Sequence, residues 1–338
     1  MGYPFRYPLR FILLSLHLFV TGESATSTTD TLSQTGSLSD GQTLISLNKT
    51  FELGFFSPNG SSNRYVGIWY YKIPLQTPVW IANRNNPLLD TSGVLYINNN
   101  GELMIVDRIG RSFVVAYYNP GGKDVEATIL DSGNLVLRET NNSSSIIWQS
   151  FDYPTDTWLP GMKLGVTEGQ HRLTTSWRSS SDPTTGDFAF GLDSSQLFIW
   201  QKNVVSWSSG LWNGTSFAHN PELSEPPFGS LNFVSDSEGV YCTFSSIYYT
   251  RFVVDMTGQT REFTWVDSQG DWVLFWSVPH ATCEVYNVCG VFGLCNDMAL
   301  PACTCVQGFV PASQSDWDNG DKSRGCVRQS RLQCSTSQ

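Results

Sequence analysis

The sequence predicts an all-β fold of several domains closed by a small disulfide-rich module, and three observations lead there. Apolar residues come in runs of four to six, broken by Gly, Asn, Asp, Ser and Pro, with helical periodicity nearly absent. The chain also repeats itself: LYINNNGELMIVD (Leu95 to Asp107) superposes without a gap on ATILDSGNLVLRE (Ala127 to Glu139), a shift of 32 residues. Gly101 then falls on Gly133, Leu103 on Leu135 and Ile105 on Leu137. A short internal period means stacked or radially arranged sheets that share a core. Third, seven of the eight cysteines crowd between Cys283 and Cys334, which marks the module. A chain of 338 residues has room for two or three domains.

The N-terminus reads as an export signal, residues 1–24. Arg6 and Arg10 precede the apolar run FILLSLHLFV, and small residues follow in TGESA, with cleavage expected after Gly22 or Ser24. About ten apolar residues are too few to span a bilayer, and no second run of spanning length follows, so no membrane insertion is expected after cleavage. Asn48, Asn59, Asn141, Asn142 and Asn213 each head an N-glycosylation sequon, in keeping with a secreted, extracellular product. With 30 Asp and Glu against 20 Lys and Arg, and no basic block, the chain lacks the clustered positive surface that nucleic acid requires. Four scattered histidines, with neither a Gly-x-Ser-x-Gly elbow nor a phosphate-cradling loop, point to no catalytic residue, cofactor or metal.

One stretch imitates an enzyme. Ile129 to Gly133, ILDSG, is how the active-site loop of an aspartic protease begins, and it makes an aspartic-type hydrolase the most remote of the functional readings. Under the repeat, however, Asp131 falls on Asn99, which cannot serve as acid or base. Both precede a glycine at a turn, where Asn and Asp belong for backbone reasons. A dyad needs a second Asp-Ser/Thr-Gly, and the nearest candidate, Asp90 to Gly93, carries an extra residue. Asp131 is read as a turn residue.

Longer motifs resemble a family. FELGFFSP, RYVGIWYYKIP, PVWIANRNNPL, LDSGNLVLRE and WQSFDYPTDTWLPGMKLG are similar to plant S-domain proteins, as are LTTSWRSSSDPTTGDFAFGL, WSSGLWNG and CEVYNVCGVFGLC. These are the S-locus glycoproteins and the ectodomains of G-type lectin S-receptor-like kinases. The resemblance implies two successive bulb-lectin-type β-prism domains, placed at 25–153 and 154–278, then an EGF-like module at 279–334 and a polar tail at 335–338. In the family a PAN module, a transmembrane helix and a kinase follow, and the sequence ends before them. Trp69, Trp80 and Trp148 each close an apolar run, as indoles packed about a prism axis would. Trp148 falls on Ala116 in the repeat, and Tyr117 or Tyr118 is expected to refill the space.

Bulb lectins hold mannose with a Gln-x-Asp-x-Asn-x-Val-x-Tyr strand, whose fixed polar groups donate to and accept from sugar hydroxyls. The first copy here reads Asn98, Asn100, Glu102, Met104, Val106, and the second Leu130, Ser132, Asn134, Val136, Arg138. Only Asn134 and Val136 match. The later stretch LDSSQLFIW offers Leu192, Ser194, Gln196, Phe198 and Trp200, and it fails too. Asn98, Asn100, Glu102 and Asn134 are thus the residue of a degenerate sugar site.

CTCVQGF, Cys303 to Phe309, ends like an EGF module, and that resemblance implies the pairs Cys283–Cys295, Cys289–Cys303 and Cys305–Cys326; the spacing alone permits other pairings. Zinc through Cys303 and Cys305 is the competing reading, disfavoured by an oxidising compartment and the lack of a nearby histidine. VPHAT before the first cysteine lacks the acidic residues of calcium-binding modules. Cys242 reads as a buried thiol, and Cys334, without its PAN partner, as a residue able to cross-link two chains into a dimer. The function expected is recognition of a protein or peptide, including cell–cell or pollen recognition and ligand sensing, with a carbohydrate-binding lectin as the alternative. The loop-rich stretch from Trp207 to Phe233, with Trp212, Phe217 and Phe228 among Gly, Asn and Pro, is the expected partner surface.

Overall fold

The computed structural model describes residues 29–117, 124–224, 229–318 and 321–330. The signal segment 1–24, Tyr118, Phe228, Cys334 and the tail 335–338 lie outside the described residues. The first unit is built from β1 (Thr31–Ser33), β2 (Ser37–Ser39), β3 (Thr43–Ile45), β4 (Phe51–Phe56), β5 (Tyr65–Tyr70), β6 (Pro78–Ile81), β7 (Val94–Ile97), β8 (Leu103–Val106), β9 (Ser112–Ala116), β10 (Val125–Ile129), β11 (Leu135–Glu139) and β12 (Asn142–Gln149). They form three four-stranded antiparallel sheets, ordered β1-β10-β11-β12, β2-β7-β8-β9 and β3-β4-β5-β6. This is a β-prism. The 32-residue repeat places one copy on β7–β8 and the next on β10–β11, so each period supplies one sheet.

The second unit repeats the plan with β13 (Thr157–Trp158), β14 (Leu164–Thr167), β15 (Gln170–Arg172), β16 (Thr174–Ser179), β17 (Asp182–Asp193), β18 (Gln196–Gln201), β19 (Val204–Ser208), β20 (Gly229–Ser235), β21 (Gly239–Ser246), β22 (Thr250–Val254), β23 (Thr260–Val266) and β24 (Asp271–Val278). Its sheets run β13-β22-β23-β24, β15-β14-β21-β20 and β16-β17-β18-β19. In both prisms the earliest strand joins the last hairpins, the next joins the middle ones, and the third sheet is contiguous in sequence. Among the described residues the module that follows pairs β25 (Gly293–Cys295) with β26 (Cys303–Cys305) and β27 (Phe309–Pro311) with β28 (Cys326–Arg328), and carries one short helix, α1 (Gln314–Asp318).

One cluster of buried apolar side chains runs through both prisms, from Leu32 and Ile68 to Trp158 and Val278. Trp80 and Trp148 meet within it edge to face, with ring centroids 6.0 Å apart. Trp69 corrects the expectation of a shared axis. Both faces of β5 are buried, and Trp69 points away from the core into a separate cluster with Phe56, Tyr65 and Ile81, covered by Trp177 of the second prism. Its Nε1 donates to Glu52 at 2.9 Å. Tyr117 corrects another, being 74% exposed while Ala116 is fully buried, so Tyr117 does not fill the space of a missing indole.

A buried arginine locks the prisms together. Arg84 donates through Nε to the carbonyl of Pro183 at 2.8 Å, through one terminal nitrogen to that of Ser176 at 2.8 Å, and through the other to Thr175 Oγ1 at 2.6 Å. No helix among the described residues is long and apolar enough to cross a membrane.

Candidate functional site

The residues of the sugar-type strands sit at hairpin turns, and the turns explain them. In four hairpins a backbone N–H bonds the carbonyl four residues on, and the glycine between them takes positive φ: Asn98–Gly101, Asp107–Gly110, Leu130–Gly133 and Asp255–Gly258. Gly101 has φ 79° and Gly133 φ 85°, backbone that L side chains rarely adopt. At three of these turns the first side chain caps the loop. Asp107 Oδ1 accepts from the N–H groups of Ile109 and Arg111 at 3.0 and 2.9 Å. Asp255 Oδ1 accepts from Thr257 and Gln259 at 2.8 and 3.0 Å. Asn98 Oδ1 accepts from Asn100 and Glu102 at 2.9 and 3.0 Å, and its Nδ2 donates to Glu102 Oε2 at 2.8 Å. Asn98 therefore does an Asp's work at a turn, with both ends of its amide engaged. Asn100 is exposed beside it.

Asn134 is the residue that matches the sugar pattern best, and it is buried, only 6% exposed. Its Oδ1 accepts from Ser150 Oγ at 3.1 Å and Phe151 N at 3.2 Å, while Nδ2 donates to Gln149 Oε1 at 2.9 Å. Ser150 Oγ in turn accepts the N–H of Leu135 at 2.9 Å, a donor that its strand neighbours leave unpaired. The same device recurs where Asn83 Oδ1 caps Val66 N and where Ser209 Oγ caps Leu197 N, each at 2.9 Å. Asn134 lies on the β10–β11 hairpin and Asn98 and Glu102 on the β7–β8 hairpin, in different sheets. The fold does not gather the four into one sugar-binding set.

The expected partner loop is also turned inward. Phe217 is fully buried and meets Trp212 edge to face with ring centroids 5.1 Å apart, while Trp212 stacks on Phe233 at 5.5 Å. Phe217 is thus a core residue closing one end of the second prism, and Trp212 is half-buried against that core. Phe228 lies outside the described residues. Asn48, Asn59, Asn141, Asn142 and Asn213 are all exposed.

Among the described residues no acid pair forms around Asp131. Its two carboxylate oxygens accept from Asn48 N and Nδ2, both at 2.8 Å, whereas Asp90 caps Ser92 and pairs with Arg108 at 3.1 Å. Disulfides join Cys283 to Cys295, Cys289 to Cys303 and Cys305 to Cys326, so Cys303 and Cys305 offer no thiolate to zinc. Cys242 is free and fully buried on β21, where burial pushes its thiol pKa up and makes it inert.

Clefts open on outward sheet faces among the described residues. One, of about 370 Å³, lies over β3–β5 beside Glu52, Trp69 and Tyr71. Another, of about 410 Å³, lies over β16–β18 and is lined by His171, Asp187, Asp193, Trp200, Lys202 and Asn203. Sequence reasoning met Trp200 only as a failed tyrosine of a sugar strand. The remaining signal, a Trp with two Asp and a Lys within sixteen residues, has no fixed spacing to search for.

Comparison with known proteins is consistent along the whole chain. Residues 77–178 match the D-mannose binding lectin family and residues 207–313 the S-locus glycoprotein domain. S-locus-specific glycoprotein S6 of Brassica oleracea is 40% identical, over 97% of this chain and 78% of that protein. The G-type lectin S-receptor-like serine/threonine-protein kinase At2g19130 of Arabidopsis thaliana is 40% identical over 94% of this chain. The chain spans only 40% of that kinase's length. Likeness to solved structures is low. A monomeric mannose-binding lectin from Gastrodia elata is 17% identical, covering 36% of this chain and 96% of its own, at TM-score 0.28. The two-domain fetuin-binding agglutinin of Scilla campanulata is 10% identical, covering 75% and 88%, at TM-score 0.25. With two-fifths identity sustained across both prisms and into the cysteine module, the chain belongs to the plant S-domain family of S-locus glycoproteins and G-type lectin receptor ectodomains.

Proposed function

We propose that the chain is a secreted, glycosylated recognition unit that binds a protein or peptide, on prisms whose sugar-type strands no longer hold mannose. The observation that carries this reading is the state of Asn134, buried and with its amide wholly engaged by Gln149, Ser150 and Phe151. A sugar ligand needs amide and carboxylate atoms facing solvent, and Asn98 is equally committed to its own turn. Cell–cell recognition, pollen recognition or ligand sensing follow from the family. Export is proposed from residues 1–24, and the division into 25–153, 154–278 and 279–334 is proposed from the order of the sheets and the crowding of the cysteines.

A glycan array probed with the secreted protein tests this directly. No mannose signal is expected. Mannose binding that disappeared in Asn98→Ala or Asn100→Ala would restore the lectin reading instead. Glycosidase treatment should lower the apparent mass of the secreted chain, by less than five glycans' worth, because Asn141 and Asn142 are adjacent.

A further inference from the structure

Three polar groups meet in a triangle where the second prism hands the chain on to the cysteine module. Asn220 Nδ2 stands 3.0 Å from Glu222 Oε1 and 3.2 Å from His280 Nε2, and His280 Nε2 stands 3.1 Å from that same Glu222 oxygen. Each corner is held from outside. Asn220 is only 2% exposed, and its backbone N–H donates to the Phe217 carbonyl at 3.1 Å. Glu222, on the 3-10 turn Pro221–Ser224, accepts from Trp276 Nε1 at 3.1 Å. His280 comes two residues after β24, and the carbonyl of Pro279 before it accepts from Gln259 Nε2 at 3.0 Å. With 58 residues between Glu222 and His280, no ligand spacing shows in the sequence.

Hydrogen bonding cannot satisfy this triangle. A carboxylate oxygen only accepts, a histidine ring nitrogen either donates or accepts, and each end of an amide does one or the other. Three such atoms in mutual contact always leave one pair alike. With the amide nitrogen at its corner, a bare His280 Nε2 faces Glu222 lone pair to lone pair, and a protonated one faces the amide N–H. With the amide turned over, its oxygen faces the carboxylate. The far end of the amide, Oδ1, is enclosed and has no partner among the described residues, so nothing behind Asn220 fixes its orientation. One arrangement has no mismatch, three acceptors around a cation. Ligands about 2.1 Å from a zinc ion stand about 3.0 Å apart at octahedral angles and about 3.4 Å apart at tetrahedral ones. All three edges fall in that range.

We propose that Asn220 Oδ1, the Glu222 carboxylate and His280 Nε2 bind a divalent transition-metal ion of the zinc type, which ties the Asn220 turn to the start of the cysteine module. An imidazole beside two oxygen ligands selects zinc and its neighbours over calcium and magnesium, which prefer oxygen alone. The side chains of Glu222 and His280 are 41% and 55% exposed, so the ion has a way in and water completes its coordination. Trp276 supplies the outer hydrogen bond that orients a ligating carboxylate. The site stands apart from the protein-or-peptide reading and holds whatever the chain recognises.

The test is calorimetric titration of the intact secreted chain, untagged and freed of metal with a chelator, with zinc chloride. One zinc per chain should bind with a Kd on the order of 10 μM. His280→Ala and Glu222→Gln should each weaken it about ten-fold or more, while the melting temperature of the metal-free chain stays unchanged, since both are surface changes. Asn220→Asp offers an oxygen whichever way it turns and should tighten binding several-fold, a gain that a folding defect cannot imitate. Calcium in large excess should not displace the zinc. Zinc should also slow proteolytic cleavage between Val278 and Cys283 in the parent chain and leave it unchanged in His280→Ala. No uptake at millimolar zinc, uptake indifferent to both His280→Ala and Glu222→Gln, or displacement by calcium would each overturn the proposal.

Discussion

The prisms and the cysteine module solve the same problem with opposite materials. In the prisms Tyr65, Ile68, Trp158 and Phe190 are buried to within 1%, and the polar groups at the turns are capped by side chains. In the module the side chains that would make a core are outside: Val291 is 60% exposed, Phe292 58% and Leu294 54%. Buried there are Cys289, Cys303, Cys326 and Val285. Two-stranded ribbons are marginal alone, and a segment this small has too little apolar surface to offset the entropy of ordering it. Cross-links replace the core.

That contrast can be broken from either side. Trp158 packs against Phe190, Phe244 and Phe252 and donates through Nε1 to the Met162 carbonyl at 2.9 Å. Trp158→Ala should cost about 3–5 kcal/mol by denaturant titration and lower the prism transition as a whole, because the buried cluster is continuous. Two separate prism transitions would refute that continuity. Cys289→Ser is the converse, expected to cost about 2–5 kcal/mol within the module alone. Limited proteolysis should then remove the segment after Val278 and spare the prisms, and simultaneous loss of both would refute the division.

How much of this was legible in the sequence depended on how local each cause is. Hairpins were legible because apolar runs and a glycine at a fixed offset are set by a few neighbouring residues, which is why Asp131 could be read as a turn residue. Trp69 was not, since its outward direction makes sense only once Trp177 of the other prism covers it. Phe217 looked like an exposed loop aromatic, and only the fold shows that the loop closes a prism end. The cleft was hidden for the same reason. Thr175, Ala189 and Trp200 become neighbours through strand register, which composition does not reveal. Asn134 is the instructive case: its match to a sugar motif was visible, and the Ser150 hydroxyl that engages it was not.

A proton should also tell the two regions apart. Glu262 on β23 is pushed up to about 7 from its ordinary 4.5 by burial. The folded chain therefore holds this proton between those values while the unfolded chain has lost it. The stability it leaves intact at low pH is lost as pH rises through 7. Glu262→Gln should stabilise the prisms by up to about 3 kcal/mol at pH 8 and by nothing below pH 4, with the module's protease sensitivity unchanged at both. A benefit independent of pH would mean that Glu262 is not protonated in the fold.

The smallest effect sharpens what the prism turns are for. Ser150→Ala leaves the Leu135 N–H without its acceptor and removes one donor to Asn134, at an expected cost of about 1–2 kcal/mol. Ser209→Ala, which removes the equivalent cap on Leu197 in the second prism, should cost about the same. Asn134→Ala should be non-additive with Ser150→Ala by about 0.5 kcal/mol or more, since the two share a hydrogen bond, and additive with Ser209→Ala in the other prism. If Asn134 were instead a sugar ligand held open for binding, its removal would leave stability untouched and would not couple to Ser150. A double-mutant cycle on the denaturation midpoint decides between a retired sugar ligand that now braces its sheet and a residue that still waits for one.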